Sequence, residues 1–64
     1  MFTCNVEVMD KSKGWVKAHE LLICGSSVLL ATAECACKLY PDRELRLVHS
    51  DSGVVLFRHG ERIH

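Results

Sequence analysis

The fold is decided by the segment VLLATAECACKLY at residues 28–40, which is followed directly by Pro41. Its positions divide at helical spacing into an apolar face of Leu29, Ala33, Ala36 and Tyr40 and an opposite face of Ser27, Ala31, Glu34 and Lys38. Pro41 should end the helix, because proline has no amide hydrogen and disfavours helical geometry in the residue before it. After the break at Gly25, a serine hydroxyl at Ser26 or Ser27 is the expected N-cap.

Four strand-like segments surround this helix. Before it, apolar residues alternate with polar ones from Phe2 to Val8, and the turn DKSKG at residues 10–14 leads to a second strand from Trp15 to about Leu22. Regular alternation would place Val16, Ala18 and Leu22 on one side of that second strand and Trp15, Lys17 and His19 on the other. Residues 19–24 could instead belong to a longer, kinked helix.

After the helix, residues 44–49 form the third strand, with Leu45 and Leu47 inward, and residues 54–59 form the fourth. The turn DSG at residues 51–53 is a strong hairpin signal. The sequence therefore predicts one α+β domain over residues 1–64, in the order ββαββ. We expect two antiparallel hairpins to form a sheet with the helix packed on one face.

The balance of charged residues argues against one class of partner, nucleic acid. The 64-residue chain has eight Lys and Arg against eight Asp and Glu, so its formal net charge is zero with neutral histidines. A protein held to nucleic acid by phosphate contacts normally carries a basic excess or stripe, so the balance argues against nucleic acid. Near-zero charge also gives little repulsion between copies, which favours self-association.

No stretch is long and apolar enough to span a membrane, and the first residues lack the basic start and apolar core of a signal peptide. We expect a protein of the cytoplasm, or of the host cytoplasm if it is phage-encoded, with its thiols reduced. Zinc sites favour closely spaced cysteine pairs on turns. Cys4 and Cys24 stand alone, and Cys35 and Cys37 point about 200° apart on a helix. We therefore expect four free cysteines that fill apolar space, with no metal and no cofactor.

One motif resembles a known family. The segment VVLFRHGER at residues 54–62, an apolar strand ending in Arg-His-Gly, is similar to the phosphate-pocket signature of the histidine phosphatase superfamily. The resemblance implies His59 as a phosphorylated nucleophile, with Arg58 and Arg62 holding the phosphate. It covers nine residues, and the family builds the rest of its pocket, including a second histidine, from a long chain after the motif. Because two residues follow Arg62 here, we expect no catalytic role for the motif.

The four histidines indicate a second hypothesis, a small toxin-like enzyme that uses His and Arg to cleave RNA or phosphoesters. The histidines are His19, His49, His59 and His64. In size and build, though in no motif, the chain also resembles the small phage-encoded inhibitors of host machinery, among them anti-CRISPR proteins. That resemblance implies a viral protein that acts as an inhibitor or regulator by protein binding. A third hypothesis is that the protein is a subunit whose only role is assembly of a larger complex.

We therefore expect a stoichiometric protein-binding regulator or inhibitor, not an enzyme, that occupies the surface of its partner. The expected contact residues are Trp15, Lys17, His19, Val54, Val55 and Arg58. Trp15 followed by Lys17 and His19 could form a binding stripe, although Trp15 could equally pack beneath the helix. The last strand is uncharged from Val54 to Phe57, so we expect its edge to pair, in a homodimer or against a target.

Overall fold

Two antiparallel hairpins joined side by side form one four-stranded sheet, and a single helix covers one face of it. The structure, a computed structural model, describes residues 1–60. Its elements are β1 (Phe2–Asp10), β2 (Gly14–Ile23), α1 (Ser26–Leu39), β3 (Leu45–His49) and β4 (Val55–His59). The strands lie in the order β2-β1-β3-β4, and all pairs are antiparallel. The predicted α+β class and the ββαββ order are confirmed.

The turn of the first hairpin is organised by Asp10. Its Oδ2 accepts hydrogen bonds from the Ser12 hydroxyl (2.9 Å), from the Lys13 amide (2.9 Å) and from the Ser12 amide (3.2 Å). These donors hold the pKa of Asp10 below its ordinary value, the Ser12 hydroxyl most of all. Gly14 then returns the chain with a φ of +80°, a conformation that glycine adopts without steric cost.

β2 carries a bulge that the sequence pattern does not indicate. Val6 of β1 lies opposite His19, but the next residue, Glu7, lies opposite Lys17, so Ala18 is an extra residue in β2. The bulge reverses the alternation of side chains along the rest of the strand. The prediction that Val16, Ala18 and Leu22 share one side is therefore wrong. β2 nevertheless continues as a strand to Ile23, which excludes the alternative of a longer helix over residues 19–24.

The helix begins two residues earlier than predicted and has no side-chain cap. The Gly25 carbonyl accepts the first helical hydrogen bond, from the Leu29 amide (3.1 Å), so Ser26 and Ser27 already lie inside the first turn. The expected serine N-cap is therefore wrong. The other end agrees with the prediction, because the helix stops at Leu39, just before Pro41.

The small residues of α1 allow it to lie close to the sheet. Ala33 and Ala36 are the buried residues of the helix, and Leu29 and Tyr40 pack against the core from the same face. The opposite face, formed by Ser27, Ala31, Glu34 and Lys38, is exposed. Both predicted faces are confirmed.

The core lies between α1 and one face of the sheet, mostly on the central strands β1 and β3. Its fully buried side chains are Cys4, Val6, Ile23, Leu45 and Leu47. The second hairpin closes at Gly53, whose φ is +78° and whose amide donates to the His49 carbonyl (2.9 Å). None of the helices in residues 1–60 is long and apolar enough to cross a membrane.

Both edge strands of the sheet are largely exposed to solvent. β4, predicted to be an edge, is one, and β2 is the other. Along β2, every residue from Val16 to Leu22 is exposed, although this stretch includes large apolar side chains. The helix covers the C-terminal end of β2 at Ile23, which is fully buried, and leaves the stretch from Val16 to Leu22 exposed.

Candidate protein-binding surfaces

The face of the sheet opposite α1 has no element over it within residues 1–60, and we call it the open face. Strand register shows which side chains share it, because residues directly opposite each other in an antiparallel pair point to the same face. Glu7 pairs with Lys17 on one side and with Arg46 on the other, and Arg46 pairs with Arg58. The four strands thus align one charged row across the open face, in the order Lys17, Glu7, Arg46, Arg58.

The centre of this row is a close cluster of three side chains. The Arg46 Nε donates to the Glu7 Oε1 at 2.7 Å, and both side chains are largely covered, with 27% and 19% of their area exposed. The Arg46 guanidinium also lies 4.3 Å from the centre of the Trp15 ring, within cation–π distance. Trp15 is therefore fixed on the open face, and the alternative that it packs beneath the helix is wrong.

The outer charges of the row differ in their surroundings. Lys17 forms an exposed ion pair with Glu20 at 3.2 Å. Arg58 is exposed and has no ion-pair partner among residues 1–60. Beside the charged row lies a less polar one, in which Asn5 pairs with Glu20 and Val48 with Val55. Within residues 1–60, the open face thus combines an aromatic ring and the exposed Val55 with one cation, Arg58, that has no ion-pair partner there.

The sequence-predicted contact residues divide between two faces and a turn. Trp15, Lys17, Val55 and Arg58 share the open face, and Val54 precedes β4 in the hairpin turn, exposed like Val55. His19 does not join them. It lies opposite Val6 on the helix side, because the bulge at Ala18 shifts it there, so the predicted stripe of Trp15, Lys17 and His19 is wrong. Glu7 and Arg46 were not predicted as site residues from the sequence. The signal that could have found them is their opposite charge at outward-facing positions of two strands.

A second surface lies on the helix side, between α1 and β2, and we call it the edge groove. It is about 470 Å³ in volume and almost entirely apolar, with Leu21, Val28, Ala31, Cys35, Leu39 and the ring of His19 among its lining residues. His19 is held at the groove by Tyr40, whose hydroxyl lies 3.2 Å from the His19 Nε2.

The three histidines of residues 1–60 do not converge on one place. His49 stacks on Phe2, with ring centres 5.0 Å apart, and its Nδ1 accepts from the Ser52 amide at 3.3 Å in the hairpin turn. His59 lies opposite Leu45, at the far end of the same hairpin, about 13 Å away by the rise of a strand. His64 lies outside the described residues, and His19 lies across the sheet at the edge groove.

The Arg-His-Gly motif has a structural explanation for its glycine. Gly60 has a φ of +84°, and a Cβ there would lie 3.1 Å from the Arg43 carbonyl oxygen and 3.2 Å from the Cα of Glu44. Arg58 and His59 are neighbours in a strand and point to opposite faces of the sheet. Arg62, the other arginine that the resemblance assigns to phosphate, lies outside the described residues.

The four cysteines are free, but they do not all fill apolar space. Cys4 is fully buried and Cys37 is half-buried, whereas Cys24 and Cys35 are exposed. The expectation of four buried fillers is wrong for the exposed pair, because Cys24 follows the end of β2 and Cys35 lines the open edge groove. Burial raises the pKa of the Cys4 thiol, against a smaller opposing effect of a hydrogen bond to the Val48 backbone. Among residues 1–60, no three side chains of metal-ligand type lie together.

Comparison of the chain with protein-family models, with curated proteins and with solved structures finds no match. What the molecule does is therefore inferred from its own surfaces.

Proposed function

We propose that this protein is a small stoichiometric protein-binding regulator or inhibitor, of the kind that phages encode against host machinery, and that it acts by occupying a surface of its partner. The observation that supports the proposal is the open face, where no element of residues 1–60 lies over Trp15 and the charged row, which crosses all four strands. Tryptophan and arginine are the residues most enriched among those that dominate binding energy at protein interfaces.

The cluster at the centre of the open face favours binding because it is already ordered. Glu7 and Trp15 both hold the Arg46 guanidinium, so a partner that contacts these side chains would not have to immobilise them. Side chains that are fixed before association lose less conformational entropy on binding. The neighbouring apolar residue Val55, which is 39% exposed, would supply contact area beside the cluster.

Charge indicates where the partner would place a carboxylate. Lys17 and Arg46 already have acidic neighbours, whereas Arg58 has none among residues 1–60. Arg58 also lies on the edge strand β4, next to the exposed apolar residues Val54 and Val55. A partner with an apolar patch and an acidic residue would fit this side of the open face.

The second hypothesis, cleavage of RNA or phosphoesters, requires a histidine and an arginine at one bond. His49 is the last residue of β3 and its Nδ1 accepts a hydrogen bond from the Ser52 amide, whereas His59 lies at the opposite end of the hairpin. No observation on the described residues favours this hypothesis over protein binding.

The test is affinity capture from lysates of candidate host cells, with the wild-type chain, Val55→Lys on the open face and Lys38→Glu on the exposed side of the helix. We expect one complex in near one-to-one amounts, lost with Val55→Lys and retained with Lys38→Glu. Equal recovery with all three chains would contradict the open face as the binding surface. Turnover of RNA or a phosphoester by the purified chain, without a partner, would favour the second hypothesis.

A further inference from the structure

We propose that a second copy of this chain pairs with the free edge of β2, antiparallel and about a two-fold axis, with Lys17 of each copy opposite Glu20 of the other. This interface would join two four-stranded sheets into one. The inference does not rest on the proposed function, because it concerns the edge of β2 and the edge groove rather than binding of a different protein.

The hydrogen-bonding groups at this edge follow from the bonds that β1 makes to its other neighbour. The Met9 amide donates to the Glu44 carbonyl, and the Ser50 amide donates to the Thr3 carbonyl. The odd-numbered residues of β1 therefore turn their backbone groups toward β3, and the even-numbered ones turn toward β2. The β2 residues that lie opposite odd-numbered residues of β1 consequently point their amides and carbonyls away from the sheet. These residues are Trp15, Lys17, Glu20 and Leu22.

The bulge makes this edge compatible with a copy of itself. In a regular strand, Lys17 and Glu20 would lie on opposite faces, because they are three positions apart. The extra residue Ala18 restores them to one face, since Lys17 pairs with Glu7 and Glu20 pairs with Asn5 on the open face. A two-fold axis between Ala18 and His19 then places each residue whose amide and carbonyl point away from the sheet opposite another such residue of the second copy. Both strands carry the same extra residue at the same place, so the new ladder stays in register.

This register matches side chains on both faces along all ten residues of β2. The pairs, each formed twice, are Lys17 with Glu20, Trp15 with Leu22, Val16 with Leu21, Ala18 with His19, and Gly14 with Ile23. On the open face, opposite charges meet, and the Trp15 ring meets Leu22, which is 58% exposed in the single chain. On the helix side, Val16 meets Leu21, each 39% exposed. Charge and apolar character are thus both complementary.

The same arrangement also places an apolar side chain beside the edge groove. Leu21 lines the groove, and Val16 of the second copy would lie directly opposite Leu21. The exposed apolar residues Val28 and Leu39 of the helix border the same space. The zero formal net charge of the chain adds little repulsion between the copies.

The test is a charge exchange between two variants, Lys17→Glu and Glu20→Lys, followed by sedimentation velocity over a range of concentrations. Both side chains are about half exposed, so neither change should disturb the fold, which circular dichroism of each variant checks. In a pair of identical variants, like charges would face each other twice, and we expect dimerisation to weaken roughly ten- to hundredfold. In an equimolar mixture, the mixed dimer restores two opposite-charge pairs, so association should return to near the wild-type level.

The mixture separates this interface from the ion pair that Lys17 and Glu20 form within one chain. Each variant loses that internal pair whether it is alone or mixed, so recovery on mixing requires contact between copies. A wild-type chain that stays monomeric at its highest soluble concentration would overturn the proposal. So would variants that dimerise like the wild type, or a mixture that associates no better than its components.

Discussion

Removing the Arg46 guanidinium should destabilise the protein far more than its place on an uncovered face would indicate. The informative change is Arg46→Met, which keeps an aliphatic chain of similar length over the sheet and removes the charge and its donors. Arg46 donates to Glu7 at 2.7 Å and lies 4.3 Å from the centre of the Trp15 ring. Both interactions would be lost together.

The magnitude follows from these two contacts. A hydrogen bond to a charged group contributes about 1.5–3 kcal/mol when it is shielded from water, and an exposed cation–π contact about 0.5–1 kcal/mol. Because 27% of the Arg46 side chain is exposed, we take the lower end of each range. We therefore expect the free energy of unfolding to fall by about 2 kcal/mol. A chain of 64 residues should have a total of about 3–10 kcal/mol, so this loss is a large fraction of it.

The assay is urea unfolding at one protein concentration, followed by circular dichroism and by the fluorescence of Trp15, the only tryptophan. A double-mutant cycle with Glu7→Gln isolates the ion pair, and we expect a coupling free energy of about 1 kcal/mol. Lys38→Met on the exposed side of the helix is the matched control and should change the free energy of unfolding by less than about 0.5 kcal/mol. A coupling below about 0.3 kcal/mol would refute the reasoning, because it would mean that the contact contributes nothing to the folded state.

Three further predictions concern single groups. In the native protein, a thiol reagent should modify Cys24 and Cys35 rapidly, whereas Cys4 should react only after unfolding. The unfolded protein should titrate four free thiols, and elemental analysis should find no zinc; a stoichiometric metal would contradict this prediction. His59→Ala should leave partner binding largely intact, and phosphohistidine at His59 would show that the motif resemblance is functional. The lowered pKa of Asp10 means that its contribution to stability is complete above the ordinary pKa of aspartate and is lost as the pH falls through the lower folded-state pKa. The difference in melting temperature between wild type and Asp10→Asn should therefore shrink on acidification, and a constant difference would exclude this role.

Sequence periodicity predicted most of the fold because the elements are regular and well separated. The alternation in β1, the spacing of Ala33 and Ala36 in the helix, and the position of Pro41 each depend on local chemistry that a single segment contains. The predicted cap at Ser26 or Ser27 was wrong for a different reason. A serine hydroxyl can cap a helix only from the residue that immediately precedes it, and here that residue is Gly25, whose carbonyl accepts the first helical hydrogen bond.

The candidate surfaces were harder to predict, because they depend on register between strands. Nothing in the sequence of β2 shows that Ala18 is an extra residue, since a bulge exists only relative to the strand that pairs with it. That one residue moves His19 to the helix side and brings Glu20 onto the face of Lys17. The charged row across the open face likewise appears only when the pairings of Glu7 with Arg46 and of Arg46 with Arg58 are known.

The central claim, that the open face binds a partner protein, is tested most directly by calorimetric titration of the captured partner with three chains: wild type, Arg58→Glu and Lys38→Glu. The two variants carry the same change of charge, one on the open face and one on the helix, and both positions are exposed. We expect one-to-one binding by the wild type, an affinity at least about tenfold lower for Arg58→Glu, and no change for Lys38→Glu. Equal affinities for wild type and Arg58→Glu, or a loss confined to Lys38→Glu, would contradict the claim.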